Sequence, residues 1–188
     1  MTTPKRSRKI ALEEAFTFAP FADDERALTS SLNPNWGAFV DARIADLDDL
    51  RLAEMDAAGI DVQVLSLTSP GIQTMTDAVD AVRVAQDAND LVADAVRRHP
   101  DRYAGFAAVA CQDPDAAVAE LDRCVTELGF VGALVNGHTN GVYLDDYTLT
   151  GLWEAAESLG VPIYLHPAEP ATSLAVCEGY PLQTATFG

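Results

Sequence analysis

Short apolar runs alternate with amphipathic helical segments along most of the chain. The apolar runs predict five strands, at residues 9–13, 60–68, 103–110, 130–135 and 161–165. Between them, the helical periodicity predicts helices over residues 46–58 and 77–98, one opened by Asp113-Pro114, and one over residues 149–159. Residues 16–45 fit neither pattern, so we expect an irregular insertion or lid there.

The apolar faces of the helices are predicted from steps of three and four residues. Arg51 interrupts the face of the first helix, and Gly59, Gly129 and Gly160 stand where helices end. The predicted buried face of the second helix is Ala81, Val84, Ala88, Leu91 and Ala95, and that of the third is Val118, Leu121, Val125 and Leu128.

Strands that alternate with helices predict an α/β fold with parallel pairing. An open doubly wound sheet and a closed (β/α)8 barrel are the two alternatives, and the absence of GxGxxG and GxxxxGK[ST] removes support from nucleotide-binding open sheets. A complete barrel typically needs about 250 residues, whereas this sequence has 188. We therefore expect about the first five βα units of a barrel, with two unpaired sheet edges and with inward-facing residues that lack partners across the barrel.

Composition narrows the function classes. The formal net charge of −17 argues against a nucleic-acid partner, and we expect residues 1–9 to form a solvated basic tail before a single domain at 10–188. No apolar stretch is long enough for a membrane span, and no signal-peptide pattern is present. Cys111, Cys124 and Cys177 lack metal-ligand spacing, which predicts a reducing, cytoplasmic location; Cys124 is expected in the core.

Polar residues at the predicted strand ends are the candidates for chemistry, because loops converge there in parallel βα folds. Glu13 either binds a metal, pairs with an arginine or caps a helix N-terminus. His166 is either a metal ligand or a hydrogen-bonded core residue. The other strand-end residues are Ser66, Thr68 and Asn136.

Several polar residues are expected to play no part in this site. Glu14 should point away from it, into a salt bridge behind the barrel, and His99 and His138 are expected to be exposed. No GxSxG motif or cysteine–base pair is present. Metal-assisted or acid–base chemistry therefore remains.

Five ordered blocks carry a family resemblance. They are KIALEEAF from Lys9, LSLTSPGIQ from Leu65, HPDRY from His99, GALVN from Gly132 and VPIYLHP from Val161. Together they resemble the metal-dependent aromatic acid decarboxylases of the amidohydrolase-related family, particularly the dihydroxybenzoate and γ-resorcylate types.

The resemblance implies a (β/α)8 barrel with one divalent metal ion (zinc, manganese or magnesium) held by Glu13 and His166. It implies non-oxidative decarboxylation of a hydroxylated aromatic carboxylate, with Ser66, Thr68 and Asn136 in the substrate cavity, and a homo-oligomer at full length.

The resemblance leaves the catalytic acid unassigned. The family's later histidine and its catalytic aspartate match no residue here, and we expect both to lie beyond Gly188. Ala15 replaces a histidine of many relatives but is shared by the dihydroxybenzoate type, whereas Ala168-Glu169 departs from the family's Arg-Asn. This departure bears on which substrate is bound.

Two rival interpretations stay open. A metal-dependent amidohydrolase or lactonase would use the same fold for a different reaction. A catalytically incomplete fragment is the other, since the chain carries only part of the family's ligand set.

Overall fold

The computed structural model of the chain describes residues 7–22, 34–168 and 171. Its strands are β1 (Ile10–Phe16), β2 (Val62–Leu67), β3 (Tyr103–Ala108), β4 (Gly132–Asn136), β5 (His138–Thr139), β6 (Val142–Tyr143) and β7 (Ile163–His166). Its helices are α1 (Pro34–Ile44), α2 (Asp49–Ala58), α3 (Ala78–Arg98), α4 (Pro114–Thr126) and α5 (Thr150–Leu159), with 3-10 turns at Gly71–Thr74 and Tyr147–Leu149.

Some of the sequence predictions fall outside the described residues. The first six residues of the predicted basic tail lie there, as do Glu169 and Cys177. Gly188, beyond which the family's catalytic acid and its later histidine are expected, also lies outside the described residues. The assignment of the catalytic acid therefore stays a prediction.

Local chemistry sets the ends of the helices. The Asp77 and Asp113 side chains accept hydrogen bonds from backbone N–H groups in the first turns of α3 and α4, and Pro114 opens α4. Gly59 and Gly160 end α2 and α5 in the left-handed conformation, with φ of 65° and 68°. A glycine adopts this conformation without the steric penalty that a Cβ would bring.

The main sheet is parallel, and its strands follow chain order, β1-β2-β3-β4-β7. A doubly wound sheet reverses its order at a switch point, whereas a barrel adds each strand beside the last. This order identifies the architecture as the curled half of a (β/α) barrel, as predicted. β5 and β6 form a separate antiparallel hairpin after β4.

The two faces of the sheet have separate cores. The outer face packs against the helices, with Leu65 from β2, Val92 from α3 and Leu121 from α4 in one large cluster. On the inner face, Val64, Phe106 and Leu134 form a second cluster, and all three are buried. These inward side chains from adjacent strands pack on one another; the expected lack of partners across the barrel stays a prediction.

Exposed apolar side chains mark the edges of the described sheet. Ile10 and Leu12 on β1 are 51% and 52% exposed, and Leu165 on β7 is 58% exposed. The predicted pair of unpaired edges is therefore present in the described part of the chain. No helix in the described ranges is long and apolar enough to cross a membrane.

Several local predictions were wrong. Part of the stretch expected to be irregular forms α1, whose first residue is Pro34; the missing N–H of proline is harmless in a first helical turn. Helix α4, predicted as the third helix, buries Ala117, Glu120 and Cys124 along with Leu121. Val118, Val125 and Leu128 are only partly buried. Cys124 is thus a core residue, as expected.

Two histidines, His99 and His138, are more enclosed than expected, and Arg51 on the predicted apolar face is buried. Arg51 is 7% exposed and donates to the carbonyls of Ala15, Arg43 and Asp46. His99 is half-buried against Asp48, with 2.8 Å between Nε2 and Oδ1. His138 is half-buried and accepts a hydrogen bond from the Gly141 N–H.

Candidate metal and substrate site

A bulge in β1 determines which way its two glutamates point. Ala11 pairs with Gln63, but Glu14 rather than Glu13 pairs with Leu65, so β1 carries one extra residue between these points. Leu65 belongs to the outer core. Without the extra residue Glu13 would occupy that outer register; with it, Glu13 turns to the inner face and Glu14 takes the outer position.

Glu13 meets two side chains of β7 across the inner face. Its Oε1 lies 3.5 Å from His166 Nε2, and its Oε2 accepts a 2.5 Å hydrogen bond from the Tyr164 hydroxyl. Tyr164 and His166 share a face because they are two residues apart on a strand. β1 and β7 are the edge strands of the described sheet, so these contacts join its two ends.

The Glu13–His166 pair has the donor chemistry and spacing of a partial cation site. Metal–oxygen and metal–nitrogen distances near 2.0–2.2 Å place two neighbouring ligand atoms roughly 3.0–3.5 Å apart. The observed separation of 3.5 Å falls at the upper end of that range. Within the described ranges, no group of three or more His, Cys, Asp or Glu residues is arranged to hold a metal. These two residues therefore fit a divalent ion as part of its ligand set.

Glu13 was expected at the end of its strand, but β1 continues to Phe16 and the residue lies within it. His166 and Asn136 are the last residues of β7 and β4, and they are partners in the parallel register. Side chains of such partners point to the same face. Asn136 is 3% exposed.

Ser66 and Thr68 follow the inner-facing Val64 at steps of two and are 2% and 7% exposed. Ser66 pairs with Ala15, which lies two residues beyond Glu13 on β1. The structure thus places Ser66, Thr68, Asn136 and His166 at the carboxyl ends of their strands, whereas Glu13 lies within β1. Their roles in binding stay predictions.

Glu14 lies on the outer face, as predicted, beside a cavity of about 330 Å³ that Arg43 and Arg51 also line. Burial raises the pKa of the Glu14 carboxyl, while the positive charge of Arg51 opposes that shift. The expected salt bridge is not seen: among the described residues, no cation forms an ion pair with Glu14.

Two residues that the sequence analysis did not identify contact the predicted site residues. Tyr164 was identifiable, because it precedes His166 by two positions and so shares its face; its hydrogen bond to Glu13 raises the pKa of the phenol. Gln73 lies in the Gly71–Thr74 turn after β2 and is 2% exposed. Its Oε1 accepts a hydrogen bond from Asn136 Nδ2. No periodicity identifies a residue in such a short turn.

Close backbone packing holds the loop after β4 against the loop after β7. The Gly137 N–H donates to the His166 carbonyl at 2.8 Å. A Cβ on Gly137 would lie 2.5 Å from the Ala168 Cβ, and its φ of 57° is left-handed. Glycine is therefore needed here for both reasons.

The comparisons with known proteins agree with this architecture. Residues 16–185 match the amidohydrolase family. The chain belongs to that family. Among amidohydrolase relatives, γ-resorcylate decarboxylase of Rhodococcus jostii is 41% identical over 183 residues, covering 92% of this chain and 55% of the relative. γ-Resorcylate decarboxylase of Rhizobium radiobacter is 41% identical over 168 residues, covering 86% of this chain and 50% of the relative.

Solved amidohydrolase-type neighbours share the fold over most of the chain. The crystal structure of 2,6-dihydroxybenzoate decarboxylase complexed with 2,6-dihydroxybenzoate has a TM-score of 0.83 and 39% identity, covering 94% of this chain and 56% of the neighbour. The structure of dihydroxybenzoic acid decarboxylase from a Polaromonas species, with manganese and the inhibitor 2-nitroresorcinol bound, has a TM-score of 0.83 and 40% identity, covering 93% and 54%. The chain spans about half the length of the curated relatives it matches.

Proposed function

We propose that this chain forms part of an enzyme that decarboxylates a hydroxylated aromatic carboxylic acid with the help of one divalent metal ion. The observation that carries the proposal is the meeting of Glu13 and His166 on the inner face, 3.5 Å apart. They meet in a chain that is 41% identical to a γ-resorcylate decarboxylase. Manganese is the ion we favour, because neighbours carry it.

Glu13 and His166 would hold the ion, one as an anionic oxygen ligand and the other as a neutral nitrogen ligand. When bound, the ion supplies positive charge that orients the substrate carboxylate and an adjacent hydroxyl. The Tyr164 hydroxyl keeps the Glu13 carboxylate turned toward His166. The two residues thereby fix where the charged end of the substrate lies.

The inner apolar cluster forms the base below the proposed position of the aromatic ring. Phe106, Val64 and Leu134 are buried beneath the polar strand ends, and the Tyr164 ring lies 5.8 Å from that of Phe106. Such a surface excludes water from the ring and favours flat apolar ligands. Ser66, Thr68 and Asn136 are the candidates for polar contacts with the ring substituents.

In the proposed reaction, a proton replaces the carboxylate on the ring, and the carboxylate leaves as carbon dioxide. A proton is added to the ring carbon that bears the carboxylate, the bond to the carboxylate breaks, and its electron pair restores the aromatic ring. No described residue is assigned as the proton donor. A homo-oligomer and a cytoplasmic location are further proposals, which rest on the resemblance and on the cysteine pattern.

The test is incubation of the full-length, manganese-loaded protein with 2,6-dihydroxybenzoate, measuring carbon dioxide and resorcinol. Glu13→Gln and His166→Asn should each lower kcat/KM by more than about a hundredfold, since ligand loss exceeds the effect of a supporting residue. Glu14→Gln is the matched control, because it changes the adjacent residue on the opposite face. Wild-type hydrolysis of lactones or amides without carbon dioxide release would replace this proposal with the hydrolase alternative.

A further inference from the structure

Two buried side-chain amides, those of Gln73 and Asn136, link the end of β3 to the site. We call this pair the amide relay. Gln73 Nε2 donates to the Val109 carbonyl at 3.1 Å, and Asn136 Nδ2 donates to Gln73 Oε1 at 3.3 Å. Both side chains are buried, with 2% and 3% exposed. The direction of the first hydrogen bond in the amide relay is fixed, because the Val109 backbone carbonyl can only accept.

The orientation of each amide follows from that carbonyl. If the Gln73 amide were reversed, its oxygen would face the Val109 oxygen, so the Nε2 must point there and Oε1 toward Asn136. In turn, Asn136 must present its Nδ2 to Gln73, which leaves Oδ1 directed elsewhere. Reversal of either amide would bury two facing acceptors, at the cost of unsatisfied polar groups.

The backbone on both sides of the amide relay is held in place. Ala108, the residue before Val109, exchanges two hydrogen bonds with the buried Asn89 side chain, at 2.8 and 2.9 Å. On the other side, a Cβ on Gly71 would lie 3.2 Å from Asn136 Nδ2, so the absence of a side chain lets the amide sit against this turn. The relay therefore has little freedom to rearrange.

The end of the relay is an acceptor without a partner. Asn136 Oδ1 is fully buried and has no hydrogen-bond partner among the described residues. Asn136 is the residue that pairs with His166 in the parallel register, so the two side chains lie on the same face of the sheet. A buried acceptor of this kind favours a ligand that brings a hydrogen-bond donor.

We propose that Gln73 is a positioning residue that holds the Asn136 amide so that its oxygen accepts a hydrogen bond from a hydroxyl group on the substrate ring. This rests on the proposed function for the identity of the ring. The relay makes the site prefer a phenolic hydroxyl over a methoxy group, because a methoxy oxygen can only accept. The preference is a property of Gln73 and Asn136 and needs no carboxylate on the ligand.

The test uses two neutral probes, resorcinol and 1,3-dimethoxybenzene, titrated calorimetrically into the full-length, metal-loaded protein. Wild type should prefer resorcinol by about tenfold, the effect of roughly one hydrogen bond. Gln73→Met and Asn136→Leu should each reduce that preference to less than about twofold. Gln73→Glu should also reduce it, because a carboxylate oxygen would face the Val109 carbonyl oxygen, where Gln73 now donates a hydrogen bond.

Gln112→Met is the matched control. Gln112 Nε2 donates to the carbonyls of Ile72 and Met75, so it steadies the same turn without contacting Asn136. Its variant should keep the wild-type preference. A stably folded Gln73→Met that still prefers resorcinol tenfold would overturn the inference, as would a wild type that does not discriminate. Preference for resorcinol without any carbon dioxide release from 2,6-dihydroxybenzoate would sink the proposed function and leave this inference standing.

Discussion

Replacing Tyr164 with phenylalanine removes the hydroxyl that ties β7 to the Glu13 carboxylate. The bond is short, 2.5 Å, and its acceptor is an anion. Hydrogen bonds to charged groups contribute about 1.5–3 kcal/mol when buried. The Glu13 side chain is 51% exposed, so water replaces part of the lost bond and the lower end applies. A loss of about 1.4 kcal/mol corresponds to tenfold weaker manganese binding.

The assay is manganese titration in competition with a chelator of known affinity, on the full-length protein. Tyr103→Phe is the matched control, because the Tyr103 hydroxyl is buried without a hydrogen-bond partner among the described residues. It should leave manganese affinity unchanged. The phenylalanine variant should bind manganese about tenfold more weakly and keep the wild-type affinity for resorcinol. Unchanged manganese affinity in Tyr164→Phe would refute the view that the hydroxyl orients this ligand.

Two further predictions concern stability. Glu120→Ala should lower the free energy of unfolding by about 1–3 kcal/mol in urea denaturation, because it removes the acceptor that the buried Asn89 amide shares with Arg123. Arg123 keeps its ion pair with Asp90, which limits the loss. A loss below about 0.5 kcal/mol would contradict this. Bonds from His99 and then Arg98 lower the pKa of Asp48, so its contribution is present above the ordinary pKa near 4 and lost as the pH falls below it. The difference in unfolding free energy between wild type and Asp48→Asn should be below about 1 kcal/mol at pH 6, because Asp48 is half exposed, and should vanish toward pH 3; a difference that grows in acid would reverse the sign.

The order of elements was predictable because buried parallel strands and amphipathic helices leave clear apolar patterns. The opposite sides of Glu13 and Glu14 were predicted, but the bulge that sets them was not, since it is visible only in the register of β1 with β2. The face of α4 was misjudged because Glu120 looks like a solvent residue until Asn89 and Arg123 are seen around it. α1 was missed because Pro34 looks like a helix breaker, although proline is tolerated in a first turn.

The strand order of the main sheet also has a consequence for how the chain folds during synthesis. Because each strand lies beside the one made before it, successive units can dock as they leave the ribosome, through contacts of modest sequence separation. The link between Tyr164 and Glu13 is different, since it spans 151 positions. It can form only after the four earlier strands of the main sheet have been made. The meeting of Glu13 with the side chains of β7 is therefore a late event in folding, whereas the contacts between neighbouring strands can form early.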